Sequence, residues 1–133
     1  MLPAQLAAHA LPLLEAFDVR PKDPHARAAQ LSGGNQQKLI VARELTRDAR
    51  VVLVAHPTRG VDLGAIEFIH RRLLAERHAG HAVLLVSSEL SEILGLSDRI
   101  LVMYGGRIVH ETRAESADER TLGQFMAGKR ADR

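Results

Sequence analysis

Two short apolar runs rich in β-branched residues occur in the middle of the chain, over residues 50–55 and 82–86. Continuous runs of this kind are typical of parallel strands that are covered on both faces. Between them, residues 65–79 carry apolar side chains at helical spacing, and Gly80 provides a stop. The pattern therefore predicts a β-α-β unit whose strands are buried.

A second unit of the same kind is predicted immediately after the first. Residues 89–94 have the pattern of a short helix, capped by Ser87 or Ser88, and residues 99–104 that of another strand. The expected sheet therefore has at least three strands. A glycine pair then turns the chain into residues 107–112, which predicts an antiparallel hairpin.

The amino-terminal part of the chain has a helical pattern with interruptions. Apolar residues at helical spacing predict a helix over residues 2–17, which Pro12 should kink or break. The prolines and charges of residues 18–30 are typical of a connecting loop. Residues 35–47 predict a mostly buried helix, and a last helix is expected over residues 119–127.

The composition is that of a globular protein of about one domain. The chain has 133 residues, of which 46% are hydrophobic and 26% charged, with a formal net charge of +2. Basic and acidic residues are interleaved, so nucleic-acid binding is not implied. There is no cysteine, and His78 and His81 at a predicted helix end favour surface histidines, so we predict no structural metal. No apolar run approaches the roughly 20 residues of a membrane span.

Residues 31–38, with the sequence LSGGNQQK, join a glycine pair to the start of a predicted helix. A serine followed by two glycines lets the backbone approach a bound group closely. The first N–H groups of a helix have no partner within it, and the macrodipole adds partial positive charge there. Backbone donors and the Ser32 hydroxyl can therefore hold a phosphate. The alternative for a bare Ser-Gly-Gly is an ordinary helix cap.

The complete LSGGNQQK stretch resembles the signature motif of ATP-binding cassette (ABC) proteins, in the form found in the second cassettes of sugar and nucleoside importers. Residues 59–62, Arg-Gly-Val-Asp, resemble the D-loop of the same family. From about residue 17 to residue 128 the chain is similar to the second half of a cassette. The details of residues 55–69 are most similar to nucleoside-type importers.

The resemblance implies an α/β fold, a partial P-loop NTPase-like sheet with flanking helices that lacks the phosphate-loop strand–helix unit. A β-hairpin and a helix are expected at the carboxyl end. By the same resemblance, residues 1–47 correspond to the end of the helical subdomain with the signature helix. Residues 48–133 correspond to part of the RecA-like core and its carboxy-terminal extension.

The chain departs from the family at the positions that carry phosphoryl-transfer chemistry. No G-x-x-x-x-G-K-[ST] phosphate loop occurs in the sequence. Ala55 and His56 stand where the family has the Asp-Glu pair that supports Mg²⁺ and polarises water, and Ser88 stands at the switch histidine. A degenerate site is the favoured interpretation, and a general base at His56 the less favoured one.

The resemblance implies that Ser32, Gly33, Gly34 and Asn35 bind ATP held by the amino-terminal cassette, and that Asp62 contacts that facing cassette. ATP and Mg²⁺ are then expected only in the assembled pair, with this chain inactive alone. Transmembrane permease subunits and, indirectly, a substrate-binding protein are the other expected partners, at the inner face of the membrane. Gly34 is expected to accept Asp without loss of the fold. A stand-alone interaction or regulatory module without catalysis is the alternative.

Overall fold

The computed structural model describes residues 3–47 and 49–129 of the chain. The chain divides into two compact units, the first ending at Val86 and the second beginning at Ser87. The subdomain boundary expected between residues 47 and 48 follows from the family resemblance and stays a prediction.

The first unit consists of a two-stranded parallel sheet with helices before and between its strands. Strand β1 pairs with β2 in parallel register, with Val51 opposite Ala82 and Ala55 opposite Val86. This confirms the β-α-β unit predicted from the two apolar runs. The elements are α1 (Pro3–Ala16), a 3₁₀ turn (Ala28–Gln30), α2 (Gly33–Leu45), β1 (Val51–Ala55), α3 (Leu63–His78) and β2 (Ala82–Val86).

The second unit is a β-hairpin with a helix on either side of it in the sequence. Strands β3 and β4 are antiparallel and have an irregularity between Val102 and Met103. The elements are α4 (Leu90–Leu96), β3 (Arg99–Tyr104), β4 (Arg107–Arg113), a 3₁₀ turn (Ala114–Ser116) and α5 (Glu119–Met126). The core of this unit is formed by Ile100, Val102, Leu122 and Phe125.

The expectation of one sheet with at least three strands is wrong for the described residues, which form two separate two-stranded sheets. The glycine turn between β3 and β4 supplies a local antiparallel partner for β3. An apolar run predicts a strand but not the strand beside it, so the sequence pattern could not decide the pairing. The expected serine cap of α4 is also wrong. Its N-cap is Glu89 without a side-chain cap, although Ser87 Oγ accepts the Glu89 N–H at 3.0 Å.

The prediction that β1 and β2 are buried on both faces is wrong, because one face of β1 is exposed and no residue of β2 is fully buried. Val52 is buried, whereas Val51 and Leu53 are 66% and 69% exposed. Helix α3 packs against β2 with Ile69 and Leu73 buried, so one layer of helix covers one face of the sheet. Helix α2 is likewise less buried than predicted, because only Gly34, Val41 and Ala42 are buried along it.

Helix α1 continues through Pro12, so the predicted break is wrong. Proline removes one backbone donor, but Pro12 is exposed, where water can satisfy the carbonyl that loses its partner. The carboxyl end of the helix is anchored by Leu14 and by Phe17 just beyond it, both buried. The Phe17 ring meets the Phe68 ring of α3 edge to face, with centroids 6.1 Å apart.

Candidate functional site

The amino-terminal end of α2 begins at Ser32, whose extended backbone (φ −61°, ψ 158°) suits a helix cap. Ser32 Oγ accepts the backbone N–H of Asn35 at 3.4 Å and the side-chain amide of Asn35 at 2.9 Å. Gln36 Nε2 donates to the carbonyl of Leu31 at 3.0 Å, and the Leu31 side chain is buried. The Ser-Gly-Gly stretch is therefore the start of a helix capped by Ser32, and the Asn35 side chain holds the Ser32 hydroxyl in place.

The glycine pair lies against the loop that precedes α3. A Cβ added to Gly33 would lie 3.5 Å from the carbonyl oxygen of Gly60. A Cβ added to Gly34 would lie 2.8 Å from Asp62 Oδ2 and 3.1 Å from the Cβ of Ala65. The structure thus brings the signature stretch and the D-loop-like residues together within this one chain.

This packing bears on the expectation that Gly34 accepts Asp without loss of the fold, which stays a prediction. Gly34 is buried, and its Cβ position is already closer to a carboxylate oxygen than real Cβ contacts allow. A second carboxylate would add like-charge repulsion to the steric conflict. A side chain at Gly34 thus requires the Asp62 carboxylate and Ala65 to shift.

Asp62 has a structural role in this chain. It is the N-cap of α3, and its Oδ1 accepts the backbone N–H of Ala65 at 2.9 Å. The side chain is exposed, with Oδ2 directed to the Gly34 position. One carboxylate therefore caps α3 and borders the start of α2, and its contact with a facing cassette stays a prediction.

The degenerate positions lie at the carboxyl end of β1. Ala55 is exposed and lies opposite Val86, and His56 donates its N–H to the Val86 carbonyl at 2.8 Å. His56 has a φ of 48°, in the left-handed region that non-glycine residues rarely adopt. Neither side chain is a carboxylate, so this strand end lacks the hard oxygen ligands that Mg²⁺ prefers. Ser88 is exposed and belongs to the second unit.

Asp18, Arg20 and Lys38, to which the sequence assigned no separate role, form an ion-pair cluster in which Lys38 lies on α2. Asp18 Oδ1 accepts Arg20 Nε at 3.0 Å, and Asp18 Oδ2 accepts Lys38 Nζ at 3.2 Å. The backbone N–H of Arg20 donates to Asn35 Oδ1 at 2.8 Å. The pKa of the Asp18 carboxyl is lowered, first by the hydrogen bond from Arg20 and then by that from Lys38. The only sequence signal was Lys38 itself, a basic residue inside the motif.

A cluster of aromatic rings and cations supports this corner of the first unit. Lys38 Nζ lies 5.0 Å from the centroid of the Phe68 ring, and the Arg72 guanidinium lies 4.4 Å from that of Phe17. Arg72 also donates a hydrogen bond to the carbonyl of Ala16 at the end of α1. Cation–π contacts contribute about 0.5–1 kcal/mol each at exposed sites and more when desolvated. The cluster links α1, α2 and α3.

None of the helices within residues 3–47 and 49–129 is both long and apolar enough to cross a membrane. In the same described ranges, no group of three or more histidines, cysteines, aspartates or glutamates is arranged to hold a metal ion. The candidate site consists of backbone donors, one hydroxyl and one amide. Such a donor set fits an anion.

No family profile matches the chain. Individual relatives do. The chain is 50% identical over 116 residues to the guanosine import ATP-binding protein NupO of Bacillus subtilis, an alignment that covers 87% of the chain and 23% of that protein. It is 52% identical over 126 residues to the glucose import ATP-binding protein TsgD13 of Haloferax volcanii, covering 93% of the chain and 23% of that protein. The chain therefore spans about a quarter of the length of these relatives.

Solved structures agree on the fold. The dimeric post-hydrolysis state of an ATP-binding cassette bound to ADP and Pi matches with a TM-score of 0.72 and 23% identity, over 86% of this chain and 49% of that one. The α/β fold and the signature stretch thus define part of an ATP-binding cassette, as the sequence predicted. The chain belongs to the ABC family, and its relatives are import ATP-binding proteins for sugars and nucleosides.

Proposed function

We propose that this chain forms part of the ATP-binding subunit of an importer for nucleosides or simple sugars. The relatives named as guanosine and glucose import ATP-binding proteins support this substrate class. In this proposal the chain works with an amino-terminal cassette, on the same polypeptide or a separate one. Transmembrane permease subunits hold the pair at the cytoplasmic face of the membrane, and a substrate-binding protein delivers the solute.

Within that subunit, Ser32, Gly33, Gly34 and Asn35 are proposed to complete an ATP site whose phosphate loop belongs to the other cassette. The observation that carries this proposal is the helix start at α2, where Ser32 and Gly33 are exposed. Unpaired N–H groups and the helix dipole favour a phosphate at this place. Asp62, beside Gly34, is proposed to contact the facing cassette.

The chain's own hydrolytic positions are proposed to be inactive. Ala55 cannot coordinate a metal or accept a hydrogen bond through its side chain, and the exposed His56 replaces a carboxylate with an imidazole. Ser88 offers no imidazole at the switch position. Phosphoryl transfer requires held phosphates, Mg²⁺ and an oriented water, so the chemistry is assigned to the partner's site. ATP and Mg²⁺ are thus proposed cofactors of the assembled pair only.

The test is the ATP hydrolysis rate of this chain mixed with a cassette that carries a phosphate loop. Ser32→Gly removes the hydroxyl but keeps a residue favoured at helix caps, so the cap weakens by only a few tenths of a kcal/mol. The matched control is Ser116→Gly, at an exposed serine of the second unit. We expect Ser32→Gly to lower the rate by about 10²-fold, as loss of one transition-state donor does, and the control to leave it unchanged.

Equal rates for Ser32→Gly and the parent would contradict the proposal. The alternative, a non-catalytic interaction or regulatory module, is favoured by the lost carboxylates at residues 55 and 56. It predicts that the chain binds a partner without any dependence on Mg-ATP and without stimulating hydrolysis. The same mixture, assayed with and without the chain, distinguishes the two functions.

A further inference from the structure

We propose that Asp18 is a positioning residue that fixes the side chain of Asn35 and, through it, turns the Ser32 hydroxyl into a hydrogen-bond donor for a phosphate oxygen. The inference rests on the proposed function of the α2 start as a phosphate contact. The series of hydrogen bonds from Asp18 to Ser32 can be tested in the chain alone, independently of the proposed function.

The first step is the turn that follows α1. Asp18 has a φ of 46°, in the left-handed region, and Val19 donates its N–H to the Leu14 carbonyl at 2.9 Å. The Val19 side chain is fully buried. Aspartate tolerates the left-handed conformation better than most residues, so this position suits it. The turn is thus anchored by helix-end hydrogen bonds and by an apolar side chain.

The second step is the set of hydrogen bonds that hold the Asp18 carboxylate. Arg20 donates to one oxygen and Lys38 to the other, and Lys38 Nζ also reaches the Asp18 carbonyl at 3.2 Å. The Lys38 side chain is only 13% exposed and lies over the Phe68 ring, so it is held from several sides. The charge-assisted bond from Lys38 joins the turn to α2, and the bond from Arg20 holds the carboxylate within the turn.

The third step passes from the turn to the signature stretch. With the turn fixed, the Arg20 N–H points at Asn35 Oδ1, 2.8 Å away. That bond sets which way the Asn35 amide faces, because its oxygen meets a donor and its NH₂ group meets Ser32 Oγ. The reversed amide would place two donors against each other at Arg20.

The last step concerns the Ser32 hydroxyl. Its oxygen accepts from both the backbone N–H and the side-chain NH₂ of Asn35. A hydroxyl has two acceptor lone pairs and one donor hydrogen, so the hydrogen is left to point away from Asn35. A phosphate oxygen needs a donor, and this arrangement supplies one in advance. Without it, Ser32 can donate to Asn35 Oδ1 instead.

The test compares three variants and one matched control variant with the parent chain. Asp18→Asn keeps the shape and the tolerance for positive φ, but an amide offers an acceptor on one side only, so one of the two cations loses its partner. Lys38→Met removes one cation, and Lys38→Arg restores it. Glu44→Gln is the matched control, because Glu44 is a carboxylate in an exposed ion pair at the other end of α2.

Two readouts are combined with thermal melting. In the chain alone, the NMR signals of the Asn35 side-chain NH₂ group should move toward free-amide values in Asp18→Asn and Lys38→Met, and stay at parent positions in Lys38→Arg and Glu44→Gln. In the mixture with the phosphate-loop cassette, kcat should fall roughly fivefold in the first two variants at nearly unchanged KM, as expected when a charge-assisted bond becomes neutral.

The outcomes separate the inference from the proposed function. If Ser32→Gly lowers the hydrolysis rate while Asp18→Asn does not, the positioning role is wrong and the function stands. If Ser32→Gly has no effect, the function is wrong, and the NMR signals alone decide whether Asp18 orients Asn35. Unmoved Asn35 signals in Asp18→Asn would overturn the inference in either case.

Discussion

At the scale of single residues, several positions of the signature region are determined by packing as well as by any ligand. A Cβ at Gly34 would lie 2.8 Å from Asp62 Oδ2 and 3.1 Å from the Cβ of Ala65, so both neighbours would have to shift. Asp62 both caps α3 and lies next to Gly34. A residue recognised from a motif can therefore be required for the fold of its own chain, and variants there need a stability control.

Gly34→Ala should destabilise the first unit. The added Cβ would lie 2.8 Å from Asp62 Oδ2, whose carboxylate also caps α3 through Oδ1, and 3.1 Å from the Cβ of Ala65. We expect the shift of these two neighbours to cost about 1–3 kcal/mol, which exceeds the gain of up to about 1 kcal/mol from replacing a helical glycine. Gly123→Ala in α5 is the matched control, because nothing lies within 4 Å of its added Cβ. Thermal melting should show a lower midpoint for Gly34→Ala and an equal or higher one for Gly123→Ala. A parent-like midpoint for Gly34→Ala would contradict the packing described.

The lowered pKa of the Asp18 carboxyl predicts a pH dependence. Because the folded pKa lies below the unfolded value, the ionised carboxylate stabilises the fold above the unfolded pKa, and this contribution is lost as the pH falls through the folded pKa. An NMR titration should show the Asp18 pKa rising toward its ordinary value in Arg20→Met, and by less in Lys38→Met, since Arg20 is the larger cause. An unchanged pKa in both variants would show that neither cation acts on it.

At the scale of elements, Asp62 is expected to matter to α3 chiefly as its cap. Asp62→Ala removes the acceptor for the Ala65 N–H and should cost about 0.5–2 kcal/mol, whereas Asp62→Asn keeps an acceptor and should cost less. Asp118→Ala is the matched comparison, since Asp118 caps α5 through Thr121 in the same way. Urea unfolding measures the free energy of unfolding of these three variants. Equal stability of the two Asp62 variants would argue against the capping role.

The sequence predicted local elements well and their partners less well. The strands at residues 82–86 and 99–104 have the predicted bounds, because apolar runs and glycine stops act over a few residues. A run of apolar residues does not indicate which strand will pair with it or which layer will cover it. The sequence therefore could not predict that β3 pairs with β4, or that one face of β1 is exposed. The contacts of Asp18 with Lys38 join residues far apart in sequence, and the connector that contains Asp18 carries no periodic pattern.

At the scale of the whole molecule, we propose that this chain contacts the phosphates of ATP and that a partner cassette holds them. Ala55→Asp combined with His56→Glu should therefore give no ATP hydrolysis by the chain alone. A metal ligand and a water-polarising carboxylate cannot act on phosphates that are not positioned. The rate of ATP hydrolysis is measured as phosphate release by the purified double variant and by the parent chain. Turnover above the parent would mean that the chain holds ATP itself.

Calorimetric titration with Mg-ATP shows whether the chain completes a partner's ATP site without having one of its own. The chain alone, the phosphate-loop cassette alone and their mixture are titrated in parallel. We predict no micromolar binding to the chain alone, because one helix start supplies only a fraction of the donors that a phosphate loop provides. The mixture should bind Mg-ATP more tightly than the partner cassette alone. Micromolar binding by the chain alone, or a mixture no tighter than the partner, would contradict the account.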